Sequence, residues 1–406
     1  MRPTCIIIGA SHAAAQLAPS LRQEGWEGDI IVIGDEAYVP YHRPPLSKAY
    51  LLGEKSADEL LIRPQEIYSK HNIVFRLGTR VSAINRAEKT LTLHDGERLS
   101  YDKLAICTGA RVRKVALPGS ELQGVHYLRN IQDVDAIRQH TGEHKRAVIV
   151  GGGYIGLETA AVLKKLGMQV TVLEMAPRVL ARVTAPEMSA FFQRVHRAEG
   201  VIIRTDAVVS GFAGEDRVTA VLCADGSRLP ADLVVIGIGV IPNTELAADA
   251  GLAVANGITV DELARTSDPD IVAAGDCTSH PSKLYGRIRL ESVPNASEQA
   301  KTAAATICGK NKPYDALPWF WSDQYDLKLQ MAGLNQGYDQ VVIRGDRDHS
   351  RSFAAFYLKN GQLIAADCVN RPQEFMLSKR LIASATTVDA AKLADDRLEL
   401  KSFLTT

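Results

Sequence analysis

The sequence predicts an α/β chain of two parallel-sheet units, each built of strand, glycine turn and helix and one inserted in the other, followed by a C-terminal α+β domain. Three observations carry this reading. The stretch Ala147 to Glu174, AVIVGGGYIGLETAAVLKKLGMQVTVLE, runs strand, glycine turn, helix and second strand ending in an acid. A second stretch of the same order occupies Cys5 to Asp35. From Pro313 the composition shifts to clustered aromatics and short alternating strands. At 406 residues the chain exceeds what one hydrophobic core serves, so several domains are expected.

In the central stretch Gly151, Gly153 and Gly156 fit the pattern G-x-G-x-x-G, with Tyr154 and Ile155 inside it. The first glycine allows a tight turn, the second lets backbone approach a pyrophosphate, and the third packs helix on strand. The free N–H groups and positive dipole end of the helix favour phosphate. Glu174, 23 residues after Gly151, is placed to take ribose hydroxyls. Such a motif alone is weak, but apolar Val148 to Val150 lead in, Gly167 stops the helix and Val170 to Leu173 read as a buried strand.

The N-terminal stretch is looser. After the apolar strand Cys5 to Ile8, Gly9 opens the turn, while Ser11 and Ala14 stand where the second and third glycines would be, with Ala13 between them. A helical run follows to Arg22, with Gly25 as its stop. The strand Ile30 to Ile33 then ends in Gly34 and Asp35, an acid 26 residues after Gly9 and suited to an adenosine ribose. Two such turns imply two dinucleotides. Next comes YHRPPLSK, whose two prolines fix a rigid turn carrying Arg43 and Lys48. The segments 72–81 and 90–95 read as strand and hairpin, and LAICTGA, with Thr108 and Gly109, as a strand broken at a glycine. The strand and turn of LVVIGIGVIPN hand the chain back to the first domain. SDPDIVAAGD then aims Asp276, after Gly275, at a polyol chain, and LESVPNASEQ opens a helix near it. In the last domain Asn360 and Gly361 mark a hairpin turn, and a helix is expected from about Phe375 to Ala385.

Composition excludes several classes. Lys plus Arg (47) equals Asp plus Glu (47), which leaves no basic field for nucleic acid. No apolar run approaches the ~18 residues of a membrane span, and MRPTCIIIGAS reads as a first strand rather than a signal peptide, so a cytoplasmic protein is expected. The six cysteines have no CxxC or CxxxxC spacing, which argues for buried thiols in a reducing compartment and against a redox disulfide or a sequence-local metal cluster. His140 and His144 have metal-like spacing, but Gly142 and Lys145 mark a solvated turn there and no metal is expected.

Taken together, the glycine turn with Asp35, RPPLSK, CTGA, GGGYIGLE, IGVIPN, AAGD, ESVPNA and WFWSDQ stand in the order found in FAD-dependent, NADH-using ferredoxin reductases of cytochrome P450 and aromatic-ring dioxygenase systems. The chain resembles that family over nearly its whole length. The resemblance implies FAD binding by Ala13, Asp35, Arg43, Lys48, Val81, Arg129, Asp276 and Val293. It implies NADH contacts at Gly151, Gly153, Gly156, Glu158 and Glu174, and a pair of Lys48, near flavin N5, with Glu158. It also implies a discontinuous FAD domain of 1–112 and 243–313, an NADH domain of 113–242 and a C-terminal domain of 314–406. The expected partner is a [2Fe-2S] ferredoxin feeding a P450 or dioxygenase. Rubredoxin reductase is the nearest alternative, ahead of a flavoprotein related to apoptosis-inducing factor. A disulfide or peroxide reductase would need a cysteine that the RPPLSK turn lacks.

The electron exit is expected at Trp319, beside a basic rim that includes Arg289 and Lys310. The stretch Lys283 to Lys312 holds six basic residues against two acids, and ferredoxins are generally acidic.

Overall fold

Continuous apolar runs mark strands covered on both faces, and in the computed structural model, which describes residues 2–399, 402 and 403, they become the centres of two parallel sheets. The chain divides into one unit of Met1–His42, Asp58–Arg111 and Val240–Pro318 and another of Arg43–Ala57, Val112–Gly239 and Trp319–Thr406.

In the first unit the parallel sheet has the order Ile271–Ala273, Lys103–Ile106, Thr4–Ile8, Asp29–Ile33, Ile73–Arg76. Thr4–Ile8 is central, which is why Cys5 to Ile8 carry no polar side chain and are buried. Gly9 turns the chain at φ +103°, and a Cβ there would stand 2.2 Å from the Cys107 carbonyl oxygen, so no other residue fits. Helix His12–Glu24 follows and stops at Gly25, whose left-handed backbone turns its N–H back onto the last helical carbonyls. It packs on helix Val293–Ile307 through small side chains, among them Ala14, Ala18, Ala300 and Ala303. Val81–Asn85, Thr90–Leu93 and Arg98–Ser100 form a separate antiparallel sheet.

The second unit repeats the plan. Its parallel sheet has the order Ile202–Arg204, Gln169–Leu173, Arg146–Val150, Leu233–Ile236, Val125–Tyr127, with helix Tyr154–Lys165 after the central strand. The last segment forms an antiparallel sheet, Trp319–Gln324, Leu327–Gly333, Gln362–Val369, Phe353–Lys359, Gln340–Gly345, packed on helix Pro372–Ala383. The α+β character expected there is borne out. The hairpin turns at Asn360 and Gly361, both at positive φ. The helix starts three residues before the expected Phe375 because Pro372, which has no N–H to leave unpaired, suits a first turn. The segment 43–57, assigned by sequence to the FAD domain, falls in the second unit. Its contacts there include Tyr50 Oη to Asp135 at 2.8 Å and Lys165 Nζ to Glu54 at 2.9 Å.

Asp367, on strand Gln362–Val369 of this antiparallel sheet, is buried and accepts hydrogen bonds from Thr184 and Tyr357. Burial pushes its carboxyl from 3.8 up to about 6, with the two donors acting the other way. The folded state therefore holds this proton more tightly than the unfolded chain does. Stability falls as pH rises through the window from about 4 to about 6 and stays lower above it, by at most about 3 kcal/mol from this group. Asp367→Asn should remove the effect. In urea unfolding, its stability relative to the parent is expected to rise between pH 4.5 and 7.5, and an unchanged difference would refute the assignment.

Candidate functional site

The glycine turn between Arg146–Val150 and Tyr154–Lys165 separates its three glycines by role. A Cβ on Gly151 would lie 2.4 Å from the Gly237 carbonyl oxygen, and one on Gly156 would lie 2.1 Å from the Gly151 carbonyl oxygen, so both serve the chain's own packing. A Cβ on Gly153 would meet nothing within 4 Å. That opening, at the N-cap of a helix with no side-chain cap and no acid in its first turn, fits close approach of a phosphate group. Tyr154 and Ile155 begin the helix, with Ile155 exposed and Tyr154 part-buried, its hydroxyl 2.9 Å from Met331 Sδ. Glu174 follows the next strand and holds the turn, since its carboxylate accepts the N–H of Gly152 at 2.6 Å and of Ala176 at 2.8 Å. Each of its oxygens has a further lone pair for a ribose hydroxyl.

Glu158 lies on the buried side of the same helix, with 2 % of its side chain exposed. A buried carboxylate needs donors on both oxygens. Oε2 accepts Lys48 Nζ and Ser47 Oγ, each at 2.6 Å, and Oε1 accepts Ser322 Oγ at 2.6 Å. The short helical turn Pro44–Ser47 delivers the first two: Lys48 N–H donates to the Pro45 carbonyl, and Lys48 Nζ also donates to the Pro44 carbonyl at 3.1 Å. Arg43, at the head of this turn, donates to the Arg129 carbonyl at 2.8 Å, and Arg129 N–H is held by Asp133. The second unit thus brings Arg43 to Arg129 and Lys48 to Glu158.

The first unit gathers another set at the carboxyl ends of its parallel strands, where ligands of such sheets bind. Gly9 abuts Cys107 and Thr108, and Gly275 abuts Ala13. Ser11 is the N-cap of helix His12–Glu24, Ala13 and Ala14 are buried in its first turn, and that turn carries no acid. Asp35 is exposed just past its strand, Val81 is buried at the start of another, and Val293 begins helix Val293–Ile307. Thr108 and Asn243 lock reciprocally, Thr108 Oγ1 to Asn243 O at 2.7 Å and Asn243 Nδ2 to Thr108 O at 2.8 Å, fixing the turn at Gly109. Gln299 accepts the Gly275 N–H at 2.8 Å just ahead of Asp276. A helix start with no side-chain cap beside small residues, with an acid after the second strand, fits an adenine dinucleotide.

The expected basic rim takes a different form. Lys310 and Lys312 both pair with Glu24, Lys283 pairs with Asp315, Lys301 with Glu298 and Arg289 with Glu291. Arg287 donates to the Val260 and Ser279 carbonyls. Two acids outside the stretch, Glu24 and Asp315, thus meet half of its charge excess of four. Trp319 is part-exposed and stands on the same strand face as Trp321, with ring centroids 5.6 Å apart, while Phe320 packs on Tyr154. Lys379 Nζ lies 5.4 Å from the centre of the Trp319 ring.

A family model described as pyridine nucleotide-disulphide oxidoreductase matches residues 3–300, and one described as reductase C-terminal matches residues 319–404. The chain belongs to the pyridine nucleotide-disulphide oxidoreductase family. Putidaredoxin reductase of Pseudomonas putida is 47% identical over 406 residues, covering 98% of this chain and 96% of the relative. The 5,5'-dehydrodivanillate O-demethylase ferredoxin reductase subunit of a Sphingobium strain is 46% identical, covering 98% of each chain. Among solved structures, the covalent putidaredoxin reductase–putidaredoxin complex matches with a TM-score of 0.96 and 46% identity, over 99% of this chain and 98% of that one. The resemblance to ferredoxin reductases drawn from the motif order is borne out, as is the fold.

The family description includes disulphide chemistry, which makes the cysteines informative. Cys5, Cys107, Cys223, Cys277 and Cys368 are buried and Cys308 is part-buried, all as free thiols. Burial pushes Cys5, Cys107, Cys277, Cys308 and Cys368 above the usual thiol value, against the thiolate that attack requires. A variant with all six replaced by Ala, if it folds and holds FAD, should keep NADH-driven electron transfer within about threefold; a loss of more than about tenfold at full FAD loading would show a thiol in turnover.

Sequence reasoning missed Ser47 and Ser322, the two hydroxyls on Glu158. Ser47 lies within RPPLSK and Ser322 within WFWSDQ, but they stand 111 and 164 positions from Glu158 and neither motif indicates the contact.

Proposed function

We propose that the protein takes hydride from NADH onto FAD and passes electrons one at a time to a [2Fe-2S] ferredoxin that feeds a cytochrome P450 or ring-hydroxylating dioxygenase, and that it works in the cytoplasm. Among the described residues no helix is long and apolar enough to cross a membrane. The observation that carries the reading is the Lys48–Glu158 pair, a cation with a buried counter-charge on the helix that opens at the dinucleotide turn. Bound FAD supplies the chemistry that links a two-electron donor to a one-electron acceptor. The chain supplies position and charge.

The helix N-termini at Ser11 and Gly153 take the pyrophosphates, Asp35 and Glu174 take ribose hydroxyls, and Arg43, Val81, Arg129, Asp276 and Val293 complete the FAD set. Lys48 holds positive charge for the reduced cofactor, and Glu158 keeps that ammonium in one place, so no reorganisation is needed as charge develops. The match over 98% of the chain to relatives named as a putidaredoxin reductase and a ferredoxin reductase subunit supports the partner.

For docking, the part-exposed Trp319 with Lys379 over its ring is the better-supported anchor. Arg289 and Lys310, each already paired with an acid, act as secondary charges. Trp319→Ala should slow ferredoxin reduction while NADH-to-ferricyanide activity is kept; if both fall with loss of FAD, the tryptophan is structural. The reading itself is tested by supplying NADH and purified ferredoxins and rubredoxins in parallel. Faster reduction of a ferredoxin is expected, and a consistent preference for rubredoxin would favour a rubredoxin reductase.

A further inference from the structure

We propose that Ser322 is a positioning residue for Glu158 and the last link of a one-way hydrogen-bond chain running from Tyr325 through His196 and Gln324. The chain follows from distances and from what each group can donate. A carboxylate only accepts, so at 2.6 Å the Ser322 hydroxyl must give its single proton to Glu158 Oε1. Ser322 Oγ is then an acceptor, and it receives Gln324 Nε2–H at 3.2 Å. That orientation turns Gln324 Oε1 toward His196 Nε2 at 2.8 Å, so Nε2 must carry a proton. His196 is fully buried, and desolvation lowers its pKa, so the ring is neutral and Nδ1 is bare. Nδ1 therefore accepts the Tyr325 hydroxyl at 3.0 Å. Every proton in the chain points toward Glu158.

The surroundings agree with a built device. Ser322 and Gln324 alternate on one face of strand Trp319–Gln324 and are both buried, as is His196 on helix Pro186–Ala198. Tyr325 sits at φ +55°, a left-handed conformation costly for an aromatic residue, at the turn into the next strand. Its hydroxyl contact and its edge-on packing against the His196 ring, with centroids 5.1 Å apart, give that conformation a reason. The carboxylate nearest to influence His196, Glu199, is itself paired with Arg351 at 2.6 Å and provides no partner for an imidazolium. Aligned hydrogen bonds polarise one another in a low-dielectric interior, so the chain fixes the oxygen of Glu158 that Lys48 does not touch.

The inference rests on the role of Glu158 proposed above, and its test separates the two. In FAD-loaded protein labelled with ¹⁵N-histidine, with the His196 signals assigned by loss in His196→Gln, the ring should be the neutral Nε2–H tautomer at pH 7. An Nδ1–H tautomer or an imidazolium would overturn the chain whatever the activity. In stopped flow, Ser322→Ala should slow flavin reduction by NADH about tenfold, the scale of one hydrogen bond to a charged group, with NADH affinity and FAD content little changed and the melting temperature lowered by a few degrees, because a buried carboxylate oxygen loses its donor. Ser322→Thr, which restores the hydroxyl, should recover most of the rate. Gln324→Met should cause a smaller loss, and Ser322→Ala with Gln324→Met should be no slower than Ser322→Ala alone, because Gln324 acts through Ser322. Multiplying losses, or no rescue by Thr in protein that keeps its FAD and melting temperature, would overturn the positioning role. Absence of NADH-driven flavin reduction in the parent would instead refute the functional reading and leave the tautomer result standing.

Discussion

Glu158→Ala is expected to slow NADH-driven flavin reduction by at least about tenfold and to destabilise the protein by about 3 kcal/mol. Both effects come from one carboxylate. Removing it leaves the Lys48 ammonium, itself only 20 % exposed, without a counter-charge, and leaves the Ser47 and Ser322 hydroxyls without their acceptor. Breaking a buried pair by deleting one partner costs about 3 to 5 kcal/mol because the other charge is stranded. The loss of rate would follow from losing the group that keeps the Lys48 cation in place where charge develops. Lys48→Met should be comparably destabilising. The double variant Lys48→Met with Glu158→Met separates the effects: an apolar pair of similar volume should regain most of the stability and little of the rate. If the double variant regained both, the pair would be structural only. Urea unfolding and stopped-flow flavin reduction, each at matched FAD loading, read the two quantities.

The second large effect is coenzyme choice. NADH should be preferred over NADPH if Glu174 is the ribose acid, because its carboxylate would accept from a free 2′-hydroxyl and repel a 2′-phosphate. Two arginines follow it in sequence, and their placement matters. Arg178 is engaged by the Thr184 and Ala181 carbonyls and by Ser189 Oγ at 2.6 to 3.0 Å, which ties it to the loop. Arg182 Nη2 lies 3.6 Å from the position a Cβ on Gly239 would take. Glu174 also holds Gly152 and Ala176, so alanine there would loosen the turn along with the selectivity. Glu174→Gln, which keeps an acceptor and loses the charge, is the sharper probe. It should narrow the ratio of kcat/KM for the two coenzymes by about 1 to 3 kcal/mol, mainly by improving use of NADPH. Equal kcat/KM in the parent would contradict the assignment.

What was legible in the sequence was local. The glycine turns can be read because turn, helix start and acid lie within some 30 residues and each glycine answers a geometric need, as at Gly9 and Gly151. The looser first turn was still legible because Asp35 and its strand completed the pattern. What was hidden depends on distant contacts. Nothing near Glu158 announces Ser322, 164 positions away, and nothing near His196 announces Gln324, 128 positions away. The pairing of the basic stretch was hidden for the same reason. A window counts the charges inside it, whereas Lys310 and Lys312 meet Glu24 from the first helix, 286 and 288 positions earlier. The segment 43–57 follows the first unit's acid strand in sequence, yet its buried side chains belong with Glu158 and Asp135.

The central claim is that one NADH is converted into two single-electron deliveries without a thiol. Its most direct test is an anaerobic titration of a purified [2Fe-2S] ferredoxin with NADH, using a catalytic amount of the FAD-loaded protein and following the iron–sulfur and nicotinamide absorbance together. Two ferredoxins are expected to be reduced for each NADH oxidised, with the same stoichiometry in the variant lacking all six cysteines. NADH oxidation that leaves ferredoxin oxidised, or ferredoxin reduction that disappears with the cysteines while FAD remains bound, would contradict it.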